Sequence, residues 1–562
     1  MQTQSAADLP RPARIEYSVP ALAMLVVVAL RWHTIDEPLD CDEAAYGYVA
    51  HRVLQGDRLY VDVFENKPPL AYLPYALGIT LGGYTERSMR VLPVPFVLIT
   101  LWLSWSFARR YGGRWAAAAA AALCAIASSD PCTFANGANL EVYMNAALVG
   151  SLCAAARARE TGVWRWALVA GLCTGTAAAL KQVGVLFLPL YGVYLARGGG
   201  RWTSYRLGRV AALCVGFTIP WLACVGFAAA QGVLAQFHEA VFAYGPTLAR
   251  EAASQLRDTY GPAEVLRLNQ WSPSLGRLVD ENRWLLSLVW LVRGNPHATV
   301  WWATGTWPLW VMAVAAALIV RPRRGDVGYL VMGYMGVAIV AVLWPGLFWQ
   351  HYYMLLVPVI TLAAALVADR LVDALRGARD DAATVPGLAR LALGGVWIAA
   401  AAGMLWLQWV HYVRLTPEVI TTEYKGGGQW VALRQLGMGL RSTPGVGGQD
   451  RLFNWGWQSP LHLYSGLDSV TPYFFTDPLM QRYDTSDHPL VRPRKARIVA
   501  DLKATPPKFI FIGQSPFSEL QELLRRHYVP TTRLAAAGEV RGLYVRRDTL
   551  GAEPRHSIED LR

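Results

Sequence analysis

The chain has 562 residues, of which 54% are hydrophobic and 16% charged, and its mean hydropathy is +0.25. This composition excludes a protein with one soluble core, because the apolar runs approach or reach the roughly 20 residues that cross a bilayer. The formal charge of +12 does not indicate nucleic-acid binding, because the basic residues lie in short loops between apolar segments, as topology signals do. The sequence therefore predicts a polytopic α-helical membrane protein without a nucleic-acid partner.

The first apolar run follows Arg11 and Arg14 and has no convincing small-residue cleavage site. We interpret it as a retained first span rather than a signal peptide, with residues 1–16 in the cytoplasm. Six of the seven cysteines lie in or beside apolar segments, and Cys41 stands alone in an acidic cluster. This distribution predicts neither a disulfide framework nor a paired-cysteine metal site.

Basic loops set the predicted topology, because Lys and Arg in short loops are retained on the cytoplasmic side. The four clearest basic loops are 109–114, 157–165, 197–209 and 321–324. If all four lie on the cytoplasmic side, an even number of spans must separate each loop from the next. The candidate spans are 17–32, 92–108, 115–134, 142–156, 166–180, 183–196, 210–230, 299–320, 327–345, 352–369 and 388–410. We expect about eleven spans in a catalytic membrane domain over 17–411.

Two segments decide how the spans pair. Residues 70–82 are short and contain Pro74, which is typical of an interfacial or re-entrant helix rather than of a span. Residues 166–196 are flanked by basic loops at both ends, which favours two short spans joined by a hairpin at Lys181. The predicted outer loops are then 33–91 and 231–297.

Residues 412–562 form the second predicted unit. The runs 509–512 and 542–546 have the residue types of strands, and 518–526 has the spacing of a helix. We predict a small extracytoplasmic α/β domain. The glycine clusters at 426–428 and 445–448 lack the strand–turn–helix context of a phosphate-binding loop.

The acidic cluster after the first span supplies the leading catalytic candidates. Asp42 and Glu43 open a segment with helical spacing, and Asp40 precedes it. Carboxylates at this position are also favoured as simple helix caps, and Asp40 suits that role best. The catalytic alternative is that Asp42 takes a proton from an acceptor hydroxyl while Glu43 orients the reacting groups.

Two lysines on the same predicted side are candidates for phosphate binding. Lys67 precedes two prolines, which hold its backbone extended, and a compact ammonium suits phosphate. Its alternative role is that of a snorkelling interfacial lysine. Lys181 lies between two apolar spans, where an ammonium without a partner costs about 2.5 to 3.5 kcal/mol.

Further candidates open later spans. Glu141 is either a helix cap or a catalytic carboxylate, and His351 with Tyr352 is either an interfacial anchor or part of the phosphate site. His238 and Glu65 are weak candidates for metal ligands, and His238 has no partner at a ligand-like spacing. The residues thus predict no defined metal site. Whether the protein binds a divalent metal stays an open question at this point.

The order of these residues resembles the family 39 glycosyltransferases, which include protein O-mannosyltransferases and the bacterial aminoarabinose transferase that acts on lipid A. The resemblance covers residues 15–370 and is carried by Asp42, Glu43, Tyr46, Gly56, Leu59, Tyr60, Lys67, Pro68, Pro69, Leu70, Glu86, Arg87, Arg90, Glu141, Leu180, Lys181, His351, Tyr352, Tyr353 and Pro358. It departs from some relatives at Asn66, where they carry a glutamate that helps to bind a metal, and Glu65 is one position away.

The resemblance implies a GT-C fold and an inverting glycosyltransferase in the cell (inner) membrane. The donor would be a polyprenyl-phosphate-linked sugar, and the acceptor a hydroxyl of a protein, lipid or polysaccharide on the outer face. Asp42, Glu43 and Glu141 would be the catalytic carboxylates, and Lys67, Lys181, His351 and Tyr352 would bind the donor phosphate. Membrane lipid would surround the bundle.

Three alternatives stay open from the sequence. Another membrane sugar-lipid enzyme, such as a polysaccharide ligase or polymerase, shares the expected chemistry. A secondary transporter is disfavoured, because the chain shows neither a convincing internal repeat nor acidic residues in the middle of spans. The third alternative is a receptor or assembly scaffold with an external domain. In such a protein the acidic and basic cluster would have no catalytic role.

Overall fold

The structure is a computed structural model that describes residues 14–197, 204–244, 270, 272–281, 306–315, 325–345, 349–375, 387–476, 490–534 and 538–549. Several predicted segments lie wholly or partly outside these residues. They include the basic loops 197–209 and 321–324, the span 299–320 and most of the outer loop 231–297.

The described part up to residue 413 is helical. Its first half contains α1 Arg14–His33, α2 Cys41–Leu54, α3 Leu73–Gly82, α4 Glu86–Val91, α5 Pro93–Tyr111, α6 Arg114–Ala127, α7 Leu140–Thr161, α8 Trp164–Leu180 and α9 Phe187–Ala196. Its second half contains α10 Ser204–Ala230, α11 Leu234–His238, α12 Pro273–Glu281, α13 Thr306–Ala315, α14 Gly325–Leu343, α15 Val357–Ala365, α16 Ala368–Leu375 and α17 Gly387–Gln408.

By length and composition, three helical stretches among the described residues suit a membrane span: Glu86–Tyr111, Tyr205–Ala230 and Leu391–Val413. Six shorter apolar helices accompany them, and α3 is only 10 residues long. The break between α8 and α9 falls at Lys181, where the predicted hairpin lies. The number of spans and their orientation stay predictions.

Glycines allow α8 and α10 to pack closely. A Cβ at Gly171 or Gly175 of α8 would collide with backbone of Leu213 or Phe217 in α10, and one at Gly216 would collide with Leu168 in return. The spacing Gly171-x-x-x-Gly175 is the small-residue motif that lets membrane helices approach each other. This contact fixes the position of α8, and therefore of Lys181 at its end.

The C-terminal region is a mixed α/β unit, as its strand and helix signals indicate. It contains α18 Pro417–Tyr424, α19 Gln429–Arg441, β1 Leu452–Trp455, α20 Pro460–Ser465, α21 Arg492–Ala504, β2 Phe509–Ile512, α22 Ser518–His527, β3 Tyr528–Leu534 and β4 Gly538–Arg546. The sheet order is β1-β2-β4-β3, with β1 and β2 parallel and the other pairs antiparallel. Phe509 pairs with Leu452 on one side and with Val545 on the other.

This unit packs directly on the first loop of the membrane part. The ring of Tyr48 in α2 lies 4.7 Å from that of His462 in α20 and 4.5 Å from that of Phe474. Arg52 forms an ion pair with Asp468 at 3.1 Å. The two units therefore share a core.

A buried ion pair joins the same two units. The ammonium of Lys425 lies 2.9 Å from Glu37 Oε2, and both side chains are 2% exposed or less. Thr421 and Asn136 also donate hydrogen bonds to the Glu37 carboxylate. A carboxylate and an ammonium buried together are stabilised only while both are present, since either alone leaves an uncompensated charge.

We expect Glu37→Gln to destabilise the fold by about 3–5 kcal/mol, because it leaves the Lys425 ammonium buried without its counterion. The thermal midpoint of the purified protein, followed by tryptophan fluorescence, measures this. Glu423→Gln, at an exposed position of α18, is the matched control. The double variant Glu37→Gln/Lys425→Met should recover part of the loss, and an unchanged midpoint in Glu37→Gln would contradict the assignment.

Candidate functional site

The carboxylates at the start of α2 have different surroundings. Asp40 is the N-cap: its Oδ1 accepts a hydrogen bond from Glu43 N at 2.9 Å, and Glu43 Oε2 accepts one from Asp40 N at 3.1 Å. This reciprocal capping box fixes both side chains. Asp42, between them, is outside the box and keeps 25% of its side chain exposed.

Glu43 is a buried scaffold residue in this structure. Its Oε1 lies 2.9 Å from Arg90 Nη1 and also accepts a hydrogen bond from the backbone N–H of Ala138. Gly137 packs so tightly beside it that a Cβ there would lie 2.6 Å from Glu43 Oε1. Glu43 thus holds the turn before α7 against α2, so its contacts position Asp42 rather than reach an open cavity.

Four charged side chains affect the pKa of Asp42. Burial raises the pKa of Asp42 to about 6, against the opposing effect of Lys67 and Lys181, and Glu65 and Glu141 add to the rise. A carboxyl group with this pKa is about nine-tenths ionised at pH 7. It therefore has the ionisation state and the pKa that suit a general base near neutral pH.

Lys181 and Glu141 form one arm of this cluster. Lys181 Nζ lies 2.5 Å from Glu141 Oε1 and 4.2 Å from the ring centroid of Tyr352. Glu141, in the first turn of α7, is 1% exposed, and Lys181 is 13% exposed. A buried carboxylate and an aromatic face therefore hold the ammonium in place at the tip between α8 and α9.

Lys67 forms the other arm. Its Nζ lies 3.2 Å from Glu65 Oε1 and donates to Asn66 Oδ1 at 2.6 Å, and the side chain stays 16% exposed. Glu65 also accepts from the Lys67 backbone and from Tyr72 OH. Gln182, next to Lys181, donates to the carbonyl of Asn66 at 3.0 Å. This bond ties the two lysine-bearing segments together.

His351 lies beside Asp42 in the same cluster. It lies in the 3-10 turn Gln350–Leu356, and its Nε2 is 3.5 Å from Asp42 Oδ2. Its ring packs on Tyr352 at 4.7 Å. The structure thus brings Asp42, Lys67, Lys181, Glu141, His351 and Tyr352 into one cluster, and leaves Glu43 beneath it.

The two weak metal candidates do not come together into a metal site. His238 is exposed on α11, and its ring lies 5.8 Å from that of Phe242. Glu65 is already bonded to Lys67 and Tyr72. Within the described residues, no group of three or more His, Cys, Asp or Glu side chains suits a metal ion.

An apolar groove of about 980 Å³ adjoins the cluster. One end is lined by Leu70 and Leu180, which lie close in sequence to the two lysines, and the other by Arg109, Arg110 and Arg157. Between them the walls are α3, α5, α7 and α8. Since α5 has 19 residues, the groove follows a helix of about 28 Å, close to the thickness of a bilayer core.

Sequence reasoning missed two features that position this site. Gln182 bridges the lysine segments through a backbone carbonyl, which no motif marks. The Glu37–Lys425 pair joins residues 388 positions apart. The sequence contains one signal for this pair: Glu37 lies beside an apolar span, where a charged side chain needs a partner.

The comparisons with known proteins agree with this architecture. Residues 66–224 match the family model described as dolichyl-phosphate-mannose-protein mannosyltransferase. This segment carries Lys67, Glu141 and Lys181. No sequence relative was found among curated proteins.

Solved structures of two kinds share the fold. The apo ArnT of Cupriavidus metallidurans superposes with a TM-score of 0.55 at 15% identity, covering 94% of this chain and 97% of that one. The oligosaccharyltransferase AglB of Archaeoglobus fulgidus superposes with a TM-score of 0.50 at 13% identity, covering 89% and 69%. This chain has the GT-C fold of these two structures. The predicted helical membrane fold with a small C-terminal α/β unit is confirmed.

The charges around Asp42 predict opposite effects of two substitutions on its pKa. Lys67→Met should raise the pKa above about 6, because a cation that favours the carboxylate is lost, and Glu65→Gln should lower it, because a repelling charge is lost. The carboxyl stretch of Asp42, isolated by infrared difference against Asp42→Asn, measures each titration. Lys503→Met, at an exposed position of α21, is the control. Shifts of the same sign in both variants would contradict the assigned neighbourhood.

Proposed function

We propose that this protein is a glycosyltransferase that moves a sugar from a polyprenyl-phosphate-linked donor to a hydroxyl acceptor at the outer face of the cell membrane. The observation that carries the proposal is the position of Asp42. It is a partly exposed carboxylate whose pKa is affected by two lysines, and an apolar groove is lined by Leu180, directly before Lys181. A base, a phosphate site and a lipid site are the three parts that this reaction requires.

Lys67 and Lys181 bind the donor phosphate in this proposal. An ammonium has three N–H donors, and each lysine retains capacity for a phosphate oxygen beyond its described bonds. Their paired carboxylates fix where the ammonium groups point. Tyr352 supports Lys181, and His351 lies where it would contact the sugar or phosphate beside Asp42.

The polyprenyl chain would occupy the apolar groove. Its walls are mostly apolar side chains, and the end at Leu70 and Leu180 adjoins the lysine pair. The ArnT structure of Cupriavidus metallidurans bound to undecaprenyl phosphate supports a lipid-linked donor; it superposes with a TM-score of 0.54 at 15% identity, covering 96% of this chain and all of that one.

The reaction follows from this arrangement. The acceptor oxygen attacks the anomeric carbon of the sugar while its proton passes to the Asp42 carboxylate. The bond between the anomeric carbon and the phosphate oxygen breaks, and polyprenyl phosphate leaves with the electron pair. Lys67 and Lys181 stabilise the charge that develops on the phosphate. Attack from the face opposite the leaving group inverts the anomeric centre.

We expect Asp42→Asn to lower the transfer rate by about 10²- to 10⁴-fold, because an amide cannot accept the acceptor proton. In the wild type, kcat/KM should rise as the pH increases through about 6, since Asp42 must be ionised. Initial rates with a polyprenyl-phosphate sugar donor measure both. Asp62→Asn, in the same loop, should match the wild type. Transfer by Asp42→Asn at the wild-type rate would exclude it as the base.

Filling the groove should discriminate between donors by chain length. Ala147→Trp, at a groove-lining position of α7, should raise KM for a long-chain polyprenyl donor and leave a two-isoprene donor little affected, because only the long chain reaches the blocked section. Val193→Trp, at an exposed position of α9, is the control for added bulk. Equal effects on both donors would show that the lipid lies elsewhere.

The outer-face location depends on the predicted topology. In a cysteine-free background, a cysteine at Gly447 should react with a membrane-impermeant thiol reagent on intact cells. One at Thr161 should react only after permeabilisation, because the loop between α7 and α8 is predicted to be cytoplasmic. The reverse labelling would place the C-terminal unit, and the site beneath it, in the cytoplasm.

A further inference from the structure

Aromatic and polar side chains follow the carboxyl ends of β1 and β2, at the edge of the C-terminal sheet that faces the membrane part. Parallel strands β1 and β2 both end at this edge, β1 in the turn 456–459 and β2 at Gly513. In α/β sheets, ligands bind in the crevice outside the carboxyl ends of parallel strands. Trp457, Gln458 and Ser459 occupy this position.

The same edge contacts the two segments that carry Asp42 and His351. Ser459 donates a hydrogen bond to the backbone carbonyl of Cys41 at 2.5 Å, directly before Asp42. The indole of Trp457 lies 6.3 Å from that of Trp349, two residues before His351, in an edge-to-face arrangement. The turn 456–459 therefore lies immediately beside the catalytic cluster.

Two polar atoms at this edge are buried without a hydrogen-bond partner in the described part of the chain: Trp457 Nε1, a donor, and Gln458 Oε1, an acceptor. Such atoms destabilise a fold unless water or a ligand bonds to them. The Gln458 amide packs against Gly456 and Gly513. A Cβ at either glycine would collide with the amide, so no larger residue fits at these two positions.

We propose that Trp349, Trp457 and Gln458 form the acceptor subsite and that the acceptor carries a pyranose ring. This inference rests on the proposed function, because it places an acceptor hydroxyl beside Asp42. A pyranose has an apolar C–H face and a rim of hydroxyls, each both donor and acceptor. Trp349, which is 39% exposed, offers an aromatic face, and Trp457 Nε1 and Gln458 Oε1 are a donor and an acceptor without a partner among the described residues.

Saturation-transfer NMR on the full-length protein in nanodiscs, free of sugar-based detergent, tests this directly. The probes are methyl pyranosides of several hexoses, with glycerol and a threonine-containing tripeptide as comparisons. Ring protons of at least one pyranoside should be saturated by the wild type and by Asp42→Asn. Trp457→Ala and Gln458→Leu should each weaken pyranoside binding about tenfold, the loss expected for one removed contact.

Trp457→Phe should restore part of the binding and so separates loss of the site from loss of the fold. Trp406→Ala, which removes an exposed tryptophan of α17, is the matched control and should bind as the wild type does. Binding of no pyranoside, binding unchanged in Trp457→Ala, or binding of the tripeptide at these residues instead would overturn the inference.

Transfer assays separate this inference from the proposed function. Pyranoside binding without any transfer from a polyprenyl-phosphate donor would contradict the proposed function alone. Transfer with an unchanged acceptor KM in Trp457→Ala and Gln458→Leu would contradict the subsite alone.

Discussion

The pairing of buried charge governs the architecture of this site. Glu37, Glu43, Glu65 and Glu141 are all buried, and each lies within 3.2 Å of a cationic nitrogen, those of Lys425, Arg90, Lys67 and Lys181, respectively. A carboxylate left alone in such surroundings would be strongly destabilising, so each pair fixes two chain segments against each other. Asp42 differs from these four because it keeps part of its side chain exposed. The four paired glutamates hold chain segments together, whereas Asp42 is the carboxylate that could contact a substrate.

This division also bears on the proposed role of Lys67 and Lys181 in binding the donor phosphate, although both lysines are already paired. An unpaired ammonium at a membrane interface turns toward water and is poorly oriented. Glu65 and Glu141 hold Lys67 and Lys181 near Asp42, and the carboxylates raise the pKa of Asp42 while the lysines lower it. The phosphodiester of the proposed donor carries one negative charge, which would raise the pKa of Asp42 when the donor binds beside the lysines. In the proposed reaction, donor binding would therefore increase the proton affinity of Asp42.

Much of the site was predictable because local rules determine it. Asp40 as the cap of α2, the break at Lys181 and the strand Phe509–Ile512 follow from capping preference, flanking basic loops and residue type. The role of Glu43 was not predictable, because its buried contact is with Arg90, 47 residues away. Nor was the contact of Trp457 with Trp349, since neither residue belongs to a motif and they meet only through packing between units. Long-range packing is the information that a single sequence lacks.

The Glu37–Lys425 pair gives the protein a defined order of maturation. Glu37 lies early in the chain, but its counterion is residue 425, so the ribosome must add nearly 400 residues before the pair forms. Until then the first loop contains a carboxylate that favours water over burial. The loop that carries Asp42 therefore reaches its final packing late in biosynthesis. A chain that ends before Lys425 would lack one of the ion pairs that hold the segment before Asp42, so the proposed site is complete only when the C-terminal unit has been added.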